Sequence, residues 1–290
     1  MRSAIDGSGG RGTLRGVAPF HFQGRRKLAP LSSDGSRKGA SRRSDIAPDV
    51  LAALHDGTLE TATLAEGLAI DFAVLFRAAV PQAGARAADI LAGAAEEGVA
   101  RRMALAGALL VEFLDTERID ALARHPSDTV RGWAAYAWCA LPGLPLAERL
   151  ERLRPLADDP HFGVREWSWM ALRPHIADDL VRAIDLLVPW TAERSLYLRR
   201  FASEATRPRG VWCAHLERLK QDPGLGLPIL EPLRADPSHY VEDSVGNWLN
   251  DAAKSKPDWV RRLCARWEVE SPGEATARIR ARALRTIGPT

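Results

Sequence analysis

A chain of 290 residues that is 46% hydrophobic and carries a formal net charge of +3 is long enough to bury a sizeable core. It holds no apolar run of the ~18 residues that a bilayer span needs, no apolar h-region of a secretory signal at its start, and no CxxC or HExxH spacing, so no metal and no cofactor is expected. Its three cysteines, Cys139, Cys213 and Cys264, are far apart and lie in apolar helical contexts, which fits buried free thiols in a reducing cytoplasm.

The charge is unevenly distributed. Residues 1–43 contain ten Lys/Arg and two Asp, and the remaining 247 residues contain 30 basic and 35 acidic side chains. The first segment is rich in Gly, Ser and Arg and lacks apolar periodicity, so it reads as a disordered basic tail over 1–43, followed by one folded domain over 44–290. From residue 44, "SDIAPDVLAALHDGTLETATLAEGLAIDFAVLFRAAVP" predicts three short helical units set off by Gly, Thr and Pro. "ARAADILAGAAEEGVARRMALAGALLVEF" continues as helix. Alternating β-branched runs are nearly absent, and the body reads as all-α.

Four stretches then repeat one pattern: "PSDTVRGWAAYAW", "DPHFGVREWSWMAL", "ERSLYLRRFASEA" and "DPSHYVEDSVGNWL". Each opens on a turn with an N-cap candidate and continues into a helix with an aromatic residue. Arg131, Arg165 and Arg199 are spaced 34 residues apart, and the next step, to Glu242, is 43. Second helices are predicted between them in "LAERLERLRPLA", "ADDLVRAIDLLVPW" and "VWCAHLERLKQ". Helix pairs at this period predict a curved solenoid of HEAT-like repeats. Arg131 and Arg165 suit a structural role bridging neighbouring repeats.

Helical spacing separates core from opposite face. Leu198, Phe201, Ala202 and Ala205 form an apolar stripe, and Tyr197, Arg200, Glu204 and Arg207 lie opposite. Val241, Val245, Trp248 and Ala252 mark the next core stripe, with Tyr240, Ser244, Asn247 and Asp251 opposite. In "VREWSWMALRP" the core set is Val164, Trp167 and Ala171, and the other face holds Glu166, Trp169 and Arg173. Stacked, these faces predict a strip of cations, carboxylates and aromatics suited to a polyanion, supplemented by Arg278, Arg280, Arg282 and Arg285. The seven histidines show no paired spacing; His161, His175, His215 and His239 read as surface.

"RRFASEATRPRGVW" and "DPSHYVEDSVGNWLNDAAKSKPDWV" closely resemble the AlkC-type bacterial DNA glycosylases of the HEAT-like repeat superfamily, specifically over about residues 159–267 and more loosely over 44–158. The resemblance implies excision of cationic N-alkylated bases such as 3-methyladenine from double-stranded DNA, by a monomer in the cytoplasm. An N3-alkylated purine is already cationic and leaves without a general acid. The burden is then the oxocarbenium-like sugar, which carboxylates stabilise electrostatically while one of them activates water. Carried onto this chain, "SEATRPRGVW" puts a catalytic carboxylate at Glu204 and an aromatic at Trp212, and "NWLND" puts a second carboxylate at Asp251. Trp169 and Tyr240 join Trp212 as expected substrate contacts. Arg200, Arg207, Arg209, Arg173, Ser244 and Asn247 are the expected DNA contacts.

The chain departs from the family at Trp169, where a further glutamate is usual; Glu166, one turn earlier on the same face, is the expected substitute. It departs again at Glu242 and Asp243, where the family tends to be basic. The alternative reading is a non-catalytic HEAT-repeat DNA-binding or scaffold protein.

Overall fold

The structure, a computed structural model, describes residues 37–288. Its regular elements are helical. In chain order they are α1 (Pro48–His55), α2 (Leu64–Ala69), α3 (Phe72–Ala79), α4 (Gly84–Gly93), α5 (Val99–Phe113), α6 (Thr116–Leu122), α7 (Asp128–Ala140), α8 (Leu146–Ala157), α9 (Phe162–Asp178), α10 (Leu180–Leu187), α11 (Leu196–Ala205), α12 (Glu217–Gln221), α13 (Leu227–Leu233), α14 (His239–Ala253), α15 (Pro257–Glu270) and α16 (Glu274–Leu284). Among the described residues no helix is long and apolar enough to cross a membrane.

The helices pack as a solenoid of HEAT-like repeats. One row runs α5, α7, α9, α11, α14, α16, each helix against the next; α6, α8, α10, α13 and α15 form the second row behind it. Each repeat presents one apolar stripe to the other row, so the core is continuous along the stack. Its N-terminal section centres on Trp133 and Trp138, its C-terminal section on Trp248 and Trp267, and Tyr136 and Trp167 touch both. Two glycines set how closely the first row packs. A Cβ on Gly107 of α5 would lie 2.7 Å from the backbone carbon of Tyr136 and 2.8 Å from the nitrogen of Ala137 in α7; one on Gly132 would meet Trp167 at 2.8 Å. Gly107→Ala is therefore expected to lower stability by roughly 1–3 kcal/mol from overpacking, despite the ~1 kcal/mol that alanine adds to helix propensity. Urea denaturation measures the sign, because the obstructing atoms are backbone and cannot rotate away.

The arginine ladder of the 34-residue repeat is structural. Arg131 donates to Asp159 in the next repeat's turn (Nε to Oδ2, 2.9 Å) and to the carbonyls of His125 and Pro126 in its own. Arg199 does the same with Asp236 and the carbonyls of Glu193 and Arg194. Arg165 keeps the carbonyl contacts, to Asp159 and Pro160. Its outer side meets tyrosines where the other two meet an aspartate: the guanidinium lies 4.0 Å from the Tyr197 ring centroid and 3.4 Å from the Tyr240 hydroxyl.

Three expectations change here. The ordered chain begins before residue 44: Arg37 donates to Glu66 at 2.6 Å, and the Ala40 N–H bonds the same buried carboxylate. The rest of the expected tail, 1–36, lies outside the described residues. His161 is buried, not on the surface. Its Nδ1 accepts from the Gly163 N–H, capping α9, and its Nε2 bonds the Thr61 carbonyl at 2.6 Å. Thr61 in turn donates from its N–H and hydroxyl to Asp128, so one buried cluster ties the N-terminal segment to two repeats. Finally, "VWCAHLERLKQ" is helical only over Glu217–Gln221. Residues 208–216 form a loop closed by the Leu216 N–H on the Pro208 carbonyl (3.0 Å), with Trp212 at a φ of 62°.

Candidate active site

Helices α9, α11 and α14 carry the candidate residues, and their local starts set which turn faces which. The Ser195 hydroxyl accepts from the Tyr197 N–H to begin α11, and Asp236 accepts from the Ser238 N–H just before α14. Glu204 then falls in the last turn of α11, beside Ser244 in the second turn of α14, and Asp251 in the last turn of α14. The chain leaves α11 at Thr206, so Arg207 lies just past the helix end, between the two carboxylates.

Opposite charges alternate along the cluster. Arg200 Nη1 is 2.7 Å from Glu166, and its Nη2 is 3.6 Å from Glu204 Oε2. Arg207 Nη1 donates to Glu204 Oε1 at 2.6 Å, while its Nε and Nη2 reach Asp251 Oδ2 at 2.9 and 2.8 Å. Lys254 lies 3.3 Å from Asp251 Oδ1. A hydroxyl chain completes the Glu204 environment: Ser203 donates to Ser244, and Ser244 to Glu204 Oε2, each at 2.7 Å. Glu204 and Asp251 are only 3% and 4% exposed, so these are charge-assisted bonds in a low-dielectric setting. Arg200 and Glu204 also stand at i, i+4 spacing, and at 3.6 Å their pair is the weaker part of a buried network.

Burial alone would raise the Glu204 carboxyl. The Arg200 and Arg207 guanidiniums and the Ser244 hydroxyl outweigh it and hold the group below the ordinary glutamate value of 4.5. A depressed carboxyl contributes stability that is complete above its unfolded value and is lost as pH falls through its folded value. Glu204→Gln is therefore expected to reduce the loss of stability between neutral pH and about pH 3, measured by urea denaturation at both. Glu66 and Glu242, also held low, carry acid sensitivity that remains.

The structure draws several sequence-predicted residues away from the roles expected of them. Arg200 and Arg207 are engaged by carboxylates, so the strip is an internal ion-pair chain and not an open row of phosphate ligands. Arg173, 2% exposed, donates to the carbonyls of Ala205, Arg207 and Ala214 at 3.1, 2.6 and 3.2 Å. It fastens both ends of the loop and offers no face to DNA. Ser244 is buried against Glu204 and is likewise unavailable. Arg209 is half-buried, bonded to the Asp251 carbonyl and the Ser255 hydroxyl. Asn247 is half-exposed one turn before Asp251. Trp169 is not a groove aromatic: it is 4% exposed and its indole N–H donates to Glu166 at 2.9 Å. Glu166 thus reaches Arg200 and joins the chain of charges from its far end.

Trp212 neither starts a helix nor packs in the core. It is 51% exposed on the loop and borders a cavity of about 390 Å³ with Met170, Pro174 and Cys213. Cys213 is accordingly half-buried, while Cys139 and Cys264 are buried. Tyr240 is half-exposed and stacked, with Arg200 4.3 Å from its ring centroid. The basic run at the C-terminus is also spoken for. Arg278 pairs with Glu242, Arg282 with Asp243 and Arg280 with Glu268, and Arg285 bonds Asn250. The two acids that depart from the family pattern are thus the partners that fix α16 to α14. Sequence reasoning missed the Ser203–Ser244 relay and Lys254; the i+3 spacing of Lys254 from Asp251 was the available signal for the latter.

An α-solenoid of HEAT-like repeats, with buried carboxylates and guanidiniums gathered on one row of helices, is the class that fold and site define. Residues 150–280 match the family model described as DNA alkylation repair enzyme. The structure matches that of the Pseudomonas fluorescens alkylpurine DNA glycosylase AlkC bound to DNA containing an abasic site analog, at 27% identity and a TM-score of 0.60, over 74% of this chain and 60% of that one. It shares the fold of AlkD2 from Streptococcus mutans, at 22% identity and a TM-score of 0.53, over 69% of this chain and 99% of that one. The uncharacterized protein YhaZ of Bacillus subtilis is 37% identical over 122 residues, which is 42% of this chain and 33% of that relative. The chain therefore spans about a third of this curated relative and three-fifths of AlkC. Over residues 150–280 the chain is thus similar to DNA alkylation repair enzymes, and in structure it is similar to AlkC.

Proposed function

We propose that this protein is a DNA glycosylase that hydrolyses the N-glycosidic bond of cationic N-alkylated bases, such as 3-methyladenine, in double-stranded DNA. The observation that carries the reading is the Glu204–Arg207–Asp251 cluster lying inside the segment that matches the DNA alkylation repair family. The cationic base departs as a neutral purine, leaving positive charge on the sugar. Buried carboxylates held in place before the reaction stabilise that charge without reorganising. Asp251 suits the role of base toward water, because Oδ1 meets only the 3.3 Å contact from half-exposed Lys254 while Oδ2 is held by Arg207. Both Glu204 oxygens are already engaged, which suits an electrostatic role. Glu166, reaching Arg200, contributes more remotely. Trp212 and Tyr240, both accessible, are the proposed aromatic contacts to substrate, and Arg209, Asn247 and Lys254 the contacts to the DNA backbone. The proposed enzyme uses no metal and acts as a monomer in the cytoplasm, associated with the nucleoid through DNA.

The test is release of 3-methyladenine from methylated duplex DNA by the purified chain, with binding followed in parallel. Release at saturating DNA supports the glycosylase. The second reading, a DNA-binding relative that no longer cuts, is favoured by the buried Trp169 at a usual carboxylate position; saturable, salt-dependent binding with no release would establish it and sink the first.

A further inference from the structure

Arg207 was expected to bind phosphate, yet its surroundings describe another task. The side chain is 16% exposed. Three of its N–H groups are spent on two carboxylates 47 residues apart: Nη1 on Glu204, Nε and Nη2 on a single oxygen of Asp251. Turning the guanidinium toward a phosphate would leave buried Glu204 with Arg200 at 3.6 Å and buried Asp251 with Lys254 at 3.3 Å as their remaining counter-charges, which is a costly arrangement. The planar fork also constrains direction. By taking Oδ2 through two donors, it anchors that oxygen of Asp251 and leaves Oδ1 for the remaining direction, toward Lys254. Its backbone is held as well, because Arg173 donates to the Arg207 carbonyl at 2.6 Å. Glu204, itself oriented by Ser244, supports the guanidinium from the other side.

We infer that Arg207 is the positioning residue of this site: its guanidinium joins Glu204 to Asp251 and sets the direction in which Oδ1 of Asp251, beside Lys254, meets water. The inference rests on the glycosylase reading. Glu204 and Asp251 are faced by Arg200 from α11, Ser244 from α14 and Lys254 just past its end, Arg173 from α9, Arg207 just past α11, and Cys213 from the loop. Of the charged groups, only Arg207 bonds both carboxylates. The Arg207 charge is one of the causes that hold the Glu204 carboxyl low, so removing it raises that carboxyl.

Arg207→Lys keeps a charge and loses the fork; Arg207→Gln loses both. Both are tested for single-turnover base release from methylated duplex, for DNA binding over a range of salt, and, for the glutamine variant, for the pH–rate profile. The inference expects release to slow by ~100-fold in each, as for a displaced reacting group. DNA affinity and the salt slope should stay at wild-type values, and the acid limb of Arg207→Gln should move to higher pH. If the glutamine variant fails to fold, as thermal denaturation will tell, the lysine variant decides on rate against affinity. Wild-type release rates in the lysine variant, or weaker binding with a salt slope reduced by about one at an unchanged rate, would overturn the inference and make Arg207 a phosphate ligand or a bystander. A wild-type protein that binds the duplex to saturation and releases nothing overturns the glycosylase reading, and this inference with it.

Discussion

Asp251→Asn is expected to lower base release by about 10²–10³-fold, the scale of losing one preorganised electrostatic group, with duplex binding nearly unchanged. The substitution is close to isosteric. The asparagine oxygen can still accept from Arg207, so the loop and α14 should keep their positions, while the negative charge and the basic oxygen toward Lys254 are lost. Removing that charge leaves Lys254 without its acid, which if anything favours phosphate. Rate and affinity therefore separate in this variant. Single-turnover release and fluorescence anisotropy on the same duplex measure them. A rate equal to wild type would show that the chemistry does not use this carboxylate; a parallel loss of binding would show that Asp251 holds the fold of the site instead.

Arg173→Met is expected to act on the fold first. Its guanidinium is buried and donates to three main-chain carbonyls, those of Ala205, Arg207 and Ala214. Methionine supplies similar bulk and no donor, so the Ala205 carbonyl loses its partner in the interior and the Arg207 and Ala214 carbonyls lose theirs at its edge. At roughly 1–3 kcal/mol for an unmet buried group, a total loss of at least about 3 kcal/mol is expected. That corresponds to a fall in Tm of about 6–12 °C for a domain of this size. Burial already pulls the Arg173 guanidinium below its ordinary value, so the arginine persists there because its carbonyl contacts offset the desolvation. The loop from 206 to 216 carries Arg207 and Trp212, and base release should fall along with stability. Calorimetry separates this from a DNA-contact role, which would leave Tm unchanged and weaken binding alone.

Much of this architecture is legible in the chain because it depends on neighbours close in sequence. Helix pairs, the 34-residue recurrence of Arg131, Arg165 and Arg199, and the sorting of Leu198, Phe201 and Ala205 from Arg200, Glu204 and Arg207 all follow from the 3.6-residue period and from turns marked by Asp, Ser and Pro. The same local rule places Ser244, Asn247 and Asp251 on one face of α14. The helix expected over 211–221 fails for a reason outside its own sequence: Arg173, some 40 residues earlier, ties down the carbonyls at Arg207 and Ala214, and Trp212 takes a positive φ.

The sequence by itself determined which residues share a helix face; it did not determine what that face meets. A stripe of arginines and acids at helical spacing is the same string whether it looks into water or into the opposite charge of the next repeat. Only stacking α9, α11, α14 and α16 side by side put Arg207 between Glu204 and Asp251, brought Arg200 to Glu166, buried Trp169, and set Arg278 and Arg282 against Glu242 and Asp243. Apart from Glu204–Arg207, an i, i+3 pair, those pairings join residues roughly 35–45 apart across helix–helix contacts. They form because burying one charge without its partner costs more than the pair gains in water, and that penalty exists only once the helices have packed.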